Sequence, residues 1–335
     1  MSEQLFSDKS EEDILKEKLS KGKAAEFSFI IPTFNEEQHL PEVLSAIKQL
    51  DEKFTYEILV VDNGSTDATV GIAKSFGAHV LRDPTKTIAG LRNLGAKYAV
   101  GKILVFLDGD VIITPQWVEE SGNLRTLLKK NNRIVTGSRC GISGNPSWIE
   151  KYWFSPMIFG KSNYINSGHL IVDREIFFEL GEFNDILVTS EDWDFCMKAK
   201  QRGIEIINNP DLYVIHKGYP KTLLQFFRRE KWHGIQDASS MRAFLNSRPA
   251  IIALTYWITG TFGLFLSIYH KSIFYGMLAI IFNSFICFIA TLEMKRRYAL
   301  NIFFYFLLYH VYLFARGLTL LEKLTGKSLF VRRHR

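Results

Sequence analysis

Short, wholly apolar runs alternate along this chain with longer stretches in which apolar residues recur every three or four positions. FSFIIP (27–32) is the first such run, closed by Pro32. Residues 36–50 then place Leu40, Val43, Leu44, Ile47 and Leu50 on one helical face. YEILVVD (56–62) predicts a second strand. STDATVGIAKSFG predicts a helix with Ser65 or Thr66 near its N-cap and Gly77 at its stop. AHVLRD predicts a third strand, residues 88–98 another helix, and KILVFLD a fourth strand. Strands that are apolar throughout are buried on both faces, so the pattern predicts a mostly parallel α/β sheet covered by helices on either side. In such open sheets ligands bind beyond the carboxyl ends of the strands. Those ends carry Pro32 and Thr33, Asp62 and Asn63, and the triplet Asp108, Gly109, Asp110.

The periodicity changes after Pro249. Residues 251–269 and 272–292 hold no charge and each approaches the roughly 20 residues that span a bilayer core. Only His270 and Lys271 separate them, which predicts a tight transmembrane helical hairpin. A third apolar segment (298–321) follows. Three spans would place VRRHR on the opposite side from MKRR (294–297), against the positive-inside rule. Two spans are expected, with the third segment interfacial, re-entrant or spanning. Just before the hairpin, TLLQFFRREKWHG (222–234) interleaves apolar residues with Arg228, Arg229 and Lys231, the composition of an interfacial amphipathic helix. Residues 137–165, rich in Gly, Pro, Ser and Trp, read either as an acceptor-stacking surface or as local aromatic packing. The expected organisation is a flexible tail (1–26), a catalytic domain (27–220), interfacial helices (221–248) and a membrane region (249–335).

Charge sharpens that division. The net charge is +6 over 335 residues, yet from His216 onward 17 Lys and Arg face 4 Asp and Glu, while the front is acidic. The basic excess therefore belongs to the apolar end. It points to a membrane surface with anionic lipid and excludes a nucleic-acid-binding front domain. The N-terminal stretch is charged and has no apolar core segment, so no signal peptide is expected. Three scattered cysteines fit a reducing compartment.

The chemistry begins with ILVFLDGDVII (103–113). Two carboxylates at i and i+2 share one side of a strand, where repulsion and desolvation oppose them. A divalent cation, Mg²⁺ or Mn²⁺, would answer both, being hard, oxygen-seeking and often shared with substrate phosphates. Gly109 would let a bulky ligand approach the backbone. No G-x-G-x-x-G follows a strand, and GLRNLGAKY matches a P-loop only loosely, so dinucleotide and P-loop folds are not supported.

The ordered series IIPTFNEEQHL, ILVVDNGSTDAT, AGLRNLG, FLDGD, INSGHLIVDREIF and SEDWDFCMKAKQRG resembles the family 2 inverting glycosyltransferases of GT-A fold, over about residues 27–216. The tail with QFFRREKWHG is similar to the branch that builds polysaccharides or sugar-lipids at the cytoplasmic membrane face. The resemblance implies that Pro32, Thr33 and Glu36 line a nucleoside pocket, that Asp62 contacts base or ribose, and that Arg92 lies near ribose or diphosphate. It further implies Asp108 at the donor ribose or metal, Asp110 as metal ligand and Asp192 as general base. Asn63 departs from the pattern, which often has a second Asp there.

Simpler roles stand beside these. Asp67 reads as a helix cap, and Glu191 as a supporting charge whose repulsion raises its neighbour's pKa. His216 completes the metal site, touches the diphosphate or is a satisfied buried histidine. Glu191, Trp193, Arg228, Arg229 and Trp232 are candidates for the acceptor or lipid-phosphate side, Trp232 more as a membrane-interface anchor. The implied activity is sugar transfer, with inversion, from a nucleotide-sugar donor to a lipid-linked oligosaccharide hydroxyl at the inner membrane. The alternatives are a polyprenyl-phosphate sugar synthase, whose ionised acceptor needs no base, and a silent sugar-nucleotide-binding scaffold. A nucleotidyltransferase would need a Gly-rich, Arg-containing loop after the first strand, which PTFNEEQ does not supply. A polymer-conducting pore would need more spans.

Overall fold

The computed structural model describes residues 25–51, 53–158, 163–237, 241–295 and 302–325. The tail up to residue 24, the basic residues at 296–297 and 331–335, and positions 298–301 lie outside the described residues. The chain divides into two units: Met1–Cys140 with Ser162–Lys217, and Gly141–Lys161 with Gly218–Arg335. The catalytic domain is thus interrupted, because residues 141–161 group with the membrane region rather than with the stretch expected at 27–220.

In the first unit, strands β1 (Phe27–Thr33), β2 (Tyr56–Asp62), β3 (His79–Arg82) and β4 (Ile103–Leu107) alternate with helices α1 (Leu40–Lys48), α2 (Thr69–Ser75) and α3 (Ile88–Tyr98). After β5 (Val111–Ile113) come α4 (Pro115–Lys130), β6 (Ile134–Gly137), β7 (His169–Asp173), α5 (Arg174–Glu179), α6 (Glu191–Gln201), β8 (Glu205–Asn208) and β9 (Val214–His216). The main sheet has the order β3-β2-β1-β4-β7-β6-β8. The first four strands are mutually parallel. β7 runs antiparallel to both its neighbours, and β6 and β8 are parallel to each other. A separate antiparallel pair, β5 with β9, sets Val111 opposite His216.

Successive residues of a strand point to opposite faces, and the core divides accordingly. Phe29, Ile31, Val60 and Val105 pack with Val43, Leu44 and Ile47 of α1 and with Trp117 and Leu124 of α4. Ile30, Leu59, Leu104 and Phe106 pack on the other face with Leu91 and Ala96 of α3 and with Phe177 and Phe195. α3 lies so close to the sheet that a Cβ on Gly95 would stand 2.4 Å from Ile30. Pro32 is tolerated in a central strand because pairing of β1 with β4 stops at Ile30↔Phe106. The expected caps of α2 are not used: Ser65 Oγ instead accepts from the Asn35 N–H at 2.9 Å. Asp67 takes the Thr69 N–H at 3.0 Å, as its reading as a cap requires. Gly77 does close the helix, at φ +79.

The second unit holds α7 (Leu223–Asp237), α8 (Met241–Asn246) and three long helices, α9 (Arg248–Tyr269), α10 (Phe274–Lys295) and α11 (Ile302–Thr325). All three are long and apolar enough to cross a membrane. α9 and α10 form the expected hairpin. Gly263 admits Ala279, and Asn283 donates to the Tyr256 carbonyl at 3.0 Å while accepting from Thr259 Oγ1 at 2.6 Å. Small residues and side-chain hydrogen bonds hold apolar helices together where the hydrophobic effect does not act between them. α11 is an unbroken helix, so the third segment is not re-entrant across its described length.

A π-helical turn, Glu150–Phe154, supplies Trp153 and Phe154 to a cluster with Ile149, Phe226, Tyr305 and Leu308. The aromatics of 148–154 are therefore packing residues within this unit. Arg229 is half-buried over the Phe154 ring at 4.7 Å and paired with Glu230 at 3.0 Å, which occupies its charge. Trp232 is half-buried edge-on to His233, and Arg228 remains exposed. Lys231, 2% exposed, pairs with Glu322 at 2.6 Å, so it does not present its charge to lipid.

Candidate active site

The acidic triplet sits where the sheet geometry requires, after β4 and before β5. Asp108 and Asp110 of the triplet meet His216 at the end of β9, and one ligand atom from each lies within 4.8 Å of the others. The Asp110 carboxylate is 3.7 Å from His216 Nε2. Burial, and secondarily Asp108, raise the Asp110 pKa, while His216 works in the opposite sense. Two carboxylate oxygens and an imidazole nitrogen form a donor set that suits a hard or borderline divalent ion. The chemistry of these residues therefore fits a divalent cation.

Part of the positive charge comes from the protein itself. Arg92 on α3 is 1% exposed and enclosed between two acids. Its Nη2 lies 2.5 Å from Asp108 Oδ1 and its Nη1 2.8 Å from Glu191 Oε1. Arg92, expected near ribose or diphosphate, is engaged in this structure by the two carboxylates. Burial alone would loosen its proton, but Asp108 and Glu191 outweigh that and raise its pKa. Glu191 is buried and accepts from Ser167 Oγ at 2.8 Å, in keeping with its reading as a supporting charge. Removing one member of a buried ion pair strands the other. Arg92→Met is expected to destabilise the protein by about 3–5 kcal/mol, read as a lower Tm with and without ligand.

Next to Glu191, Asp192 is the second residue of α6. Ser190 before it adopts a left-handed conformation at φ 69, a strained choice for a non-glycine residue. Asp192 Oδ1 accepts from the Trp193 N–H at 2.7 Å, and Oδ2 faces the Ser167 N–H at 3.4 Å. Burial first, and then Glu191, push its pKa up to about 7, with the two N–H groups and Arg92 pulling back. A carboxyl group poised there suits a proton acceptor at neutral pH. Trp193 is 52% exposed, an open aromatic face directly after the base candidate.

At the ends of β1 and β2, Pro32 and Thr33 are buried, and Glu36 is half-buried beside the acidic triplet. Burial, then Asp110, Asp108 and Asp67, push Glu36 up to about 8. A Cβ on Gly109 would come within 3.1 Å of both Thr33 and Glu36, so this glycine makes room for the protein's own side chains. Asp62 is wholly buried, with its carboxylate accepting from Gly64 N–H at 2.9 Å and Ser65 N–H at 3.0 Å. In this structure it shapes the turn rather than an open pocket wall. Asn63 donates to the carbonyls of Asp83 and Lys86 at 2.9 and 3.2 Å, which an aspartate could not do.

Three contributors were not singled out from the sequence. Ser167 links Glu191 to Asp192. A Cβ on Gly168 would stand 2.5 Å from Asp108 Oδ2, so only a glycine lets the INSGH loop pass this close to the metal-candidate carboxylate. His169 is buried and accepts from Trp117 Nε1 at 2.9 Å. Burial drops its pKa to about 3, so it is a neutral wall behind the site. The order of these residues within INSGHLIV was the only available signal, and it does not separate a wall histidine from a ligand.

Residues 28–184 match the family model for glycosyl transferase family 2. The chain carries a family 2 glycosyltransferase domain of the GT-A type. It is 29% identical to glycosyltransferase AglE of Haloferax volcanii over 206 residues, 58% of this chain and 67% of that protein. The amylovoran biosynthesis glycosyltransferase AmsB of Erwinia amylovora is 23% identical over 200 residues, 54% of this chain and 66% of that protein. The chain thus spans about two thirds of the length of these two relatives. The fold also matches the mannosyltransferase PcManGT of Pyrobaculum calidifontis in complex with GDP-Man and Mn²⁺, with TM-score 0.55 and 15% identity over 93% of both chains.

Proposed function

We propose that this glycosyltransferase moves a hexose, with inversion, from a nucleotide-sugar donor to a hydroxyl of a lipid-linked oligosaccharide at the cytoplasmic membrane face. The observation that carries this reading is a single buried arginine, Arg92, tying the Asp108–Asp110–His216 cluster to the Glu191–Asp192 pair. One end can hold a charged donor; the other can take a proton.

Asp108, Asp110 and His216 would hold the divalent cation, and the bound ion would neutralise charge on the departing nucleoside diphosphate. Mn²⁺ in the Pyrobaculum mannosyltransferase is in keeping with this assignment. Pro32, Thr33, Glu36 and the turn that Asp62 holds would border the nucleoside. Asp192 would accept the acceptor hydroxyl's proton as that oxygen attacks the anomeric carbon from the face opposite the leaving group. One displacement needs one base, in contrast to the carboxylate pair of a retaining enzyme. Trp193 would offer its exposed ring to the acceptor sugar.

A polyprenyl-phosphate acceptor arrives ionised and would leave Asp192 without a task. The poised Asp192 is the reason the hydroxyl acceptor is preferred. The test is a donor screen on purified full-length protein in lipid nanodiscs, with and without Mn²⁺. It offers both a lipid-linked oligosaccharide and a bare polyprenyl phosphate. Transfer to the oligosaccharide is the expected result. Transfer to phosphate alone would reverse the acceptor assignment. Donor binding without turnover on either acceptor would favour the scaffold alternative.

A further inference from the structure

We infer that α11 does not cross the membrane: it lies in the interfacial plane, clamped along α7, and only α9 and α10 form spans. The inference is independent of which sugar is moved or to what.

The argument rests on what covers α11. Near its start, Phe304 stacks on Tyr152 at 4.5 Å. One turn on, Tyr305 and Leu308 join Trp153 and Phe226. Further along, Arg316 pairs with Asp237 at 2.6 Å and Glu230 at 3.2 Å, and Glu322 pairs with Lys231 at 2.6 Å. From Phe304 to Glu322 the helix rises about 27 Å, close to the roughly 30 Å of a hydrocarbon core. Its first half rests on the turn at 148–154 and the stretch from Phe314 to Glu322 on α7, while residues from Phe306 to Gly317 also pack on Ala253, Tyr256 and Trp257 of α9 and on Ile286 and Cys287 of α10. α7 carries Arg228, Arg229, Glu230, Lys231 and Asp237 within 15 residues. If α11 crossed, α7 would have to enter the hydrocarbon with it, exposed Arg228 included. Charged side chains at that depth are costly and demand partners or water.

Exposure of apolar side chains gives an independent observation. α9 and α10 present large apolar residues outward along their length, from Ile251 to Tyr269 and from Phe274 to Ile289. α11 presents only Phe303 and Phe314 among its described residues. A spanning helix at the edge of a small bundle shows lipid a continuous apolar face; of α11's apolar stretch 44% is buried in protein, against 11% for α9 and 17% for α10. Its ring and hydrogen-bond contacts with the hairpin gather at one end, around Tyr256 and Trp257 of α9.

The two-span arrangement returns the chain to the side it started from. Five residues separate Lys217 from α7, so α7 and the end of the first unit share a membrane face. In the sequence, MKRR (294–297) and VRRHR (331–335) then come on one side of the two spans, as the positive-inside rule prefers.

The test uses the full chain in sealed right-side-out and inverted vesicles. Protease sites are placed before Met1, after Arg335, and between Lys271 and Ser272 in the hairpin turn. The expected result is cleavage of the two terminal sites in one vesicle orientation and of the turn site only in the other. Cleavage of the site after Arg335 together with the turn site would overturn the inference, as would cleavage of all three in one orientation. Should the insertion disturb the hairpin, Ser272→Cys labelled with a membrane-impermeant maleimide, read above the wild-type background, reports the turn's side without it. Neither readout depends on transferase activity, so a failed donor screen and a failed topology are separable.

Discussion

Asp192→Asn is expected to bind nucleotide sugar as tightly as the wild type and to transfer it roughly 10²–10⁴-fold more slowly. The amide fits the same space and can still accept from Trp193 N–H, but it cannot take a proton from the incoming hydroxyl. The pH dependence follows from the carboxyl's position at about 7. The base form is the ionised one, so wild-type kcat/KM climbs with pH and levels off above that value. Transfer is therefore expected to be slower on the acid side of neutrality than on the alkaline side. The variant's residual rate should lack this rise. Calorimetric titration of donor and a pH series of product formation check the two halves separately. Wild-type transfer by the variant would remove Asp192 from the mechanism.

Asp110→Ala should abolish the response to divalent cation and lower transfer by roughly 10²–10³-fold. Equal turnover in variant and wild type, with the cation chelated in both, would overturn the metal assignment. Stability offers a second reading of the same site. Glu36 holds its proton to about pH 8 when folded, against an ordinary carboxylate value when unfolded. The folded state is therefore favoured at low pH, and that advantage is lost as pH rises toward 8. A bound cation opposes the loss by stabilising the ionised acids. Mn²⁺ should thus raise the wild-type Tm more at pH 8 than at pH 6, and should do neither in Asp110→Ala.

Much of the first unit was legible in the sequence because each strand and helix obeys one period. YEILVVD is β2, residue for residue, and residues 88–98 form α3 as expected. The triplet at 108–110 was legible because like charges at the end of an apolar strand call for compensation. What the pattern could not show was the source of that compensation. Arg92 lies 16 residues from Asp108 and 99 from Glu191 in sequence, and only the folded sheet brings them together. The antiparallel β7 was also hidden, since an apolar run reads the same in both directions. Beyond residue 249, hydropathy gave three apolar segments but not their partners. The charges of α7 matter only once α11 is seen lying against them.

One guanidinium binds the carboxylates at both ends of the candidate site. Under the proposed mechanism, retuning the enzyme for a foreign donor by altering position 108 would, through Arg92, also disturb Glu191 and hence the basicity at the attacking end. On the proposed roles, donor choice and nucleophile activation would be mechanically joined, and productive changes would come in compensating sets rather than singly.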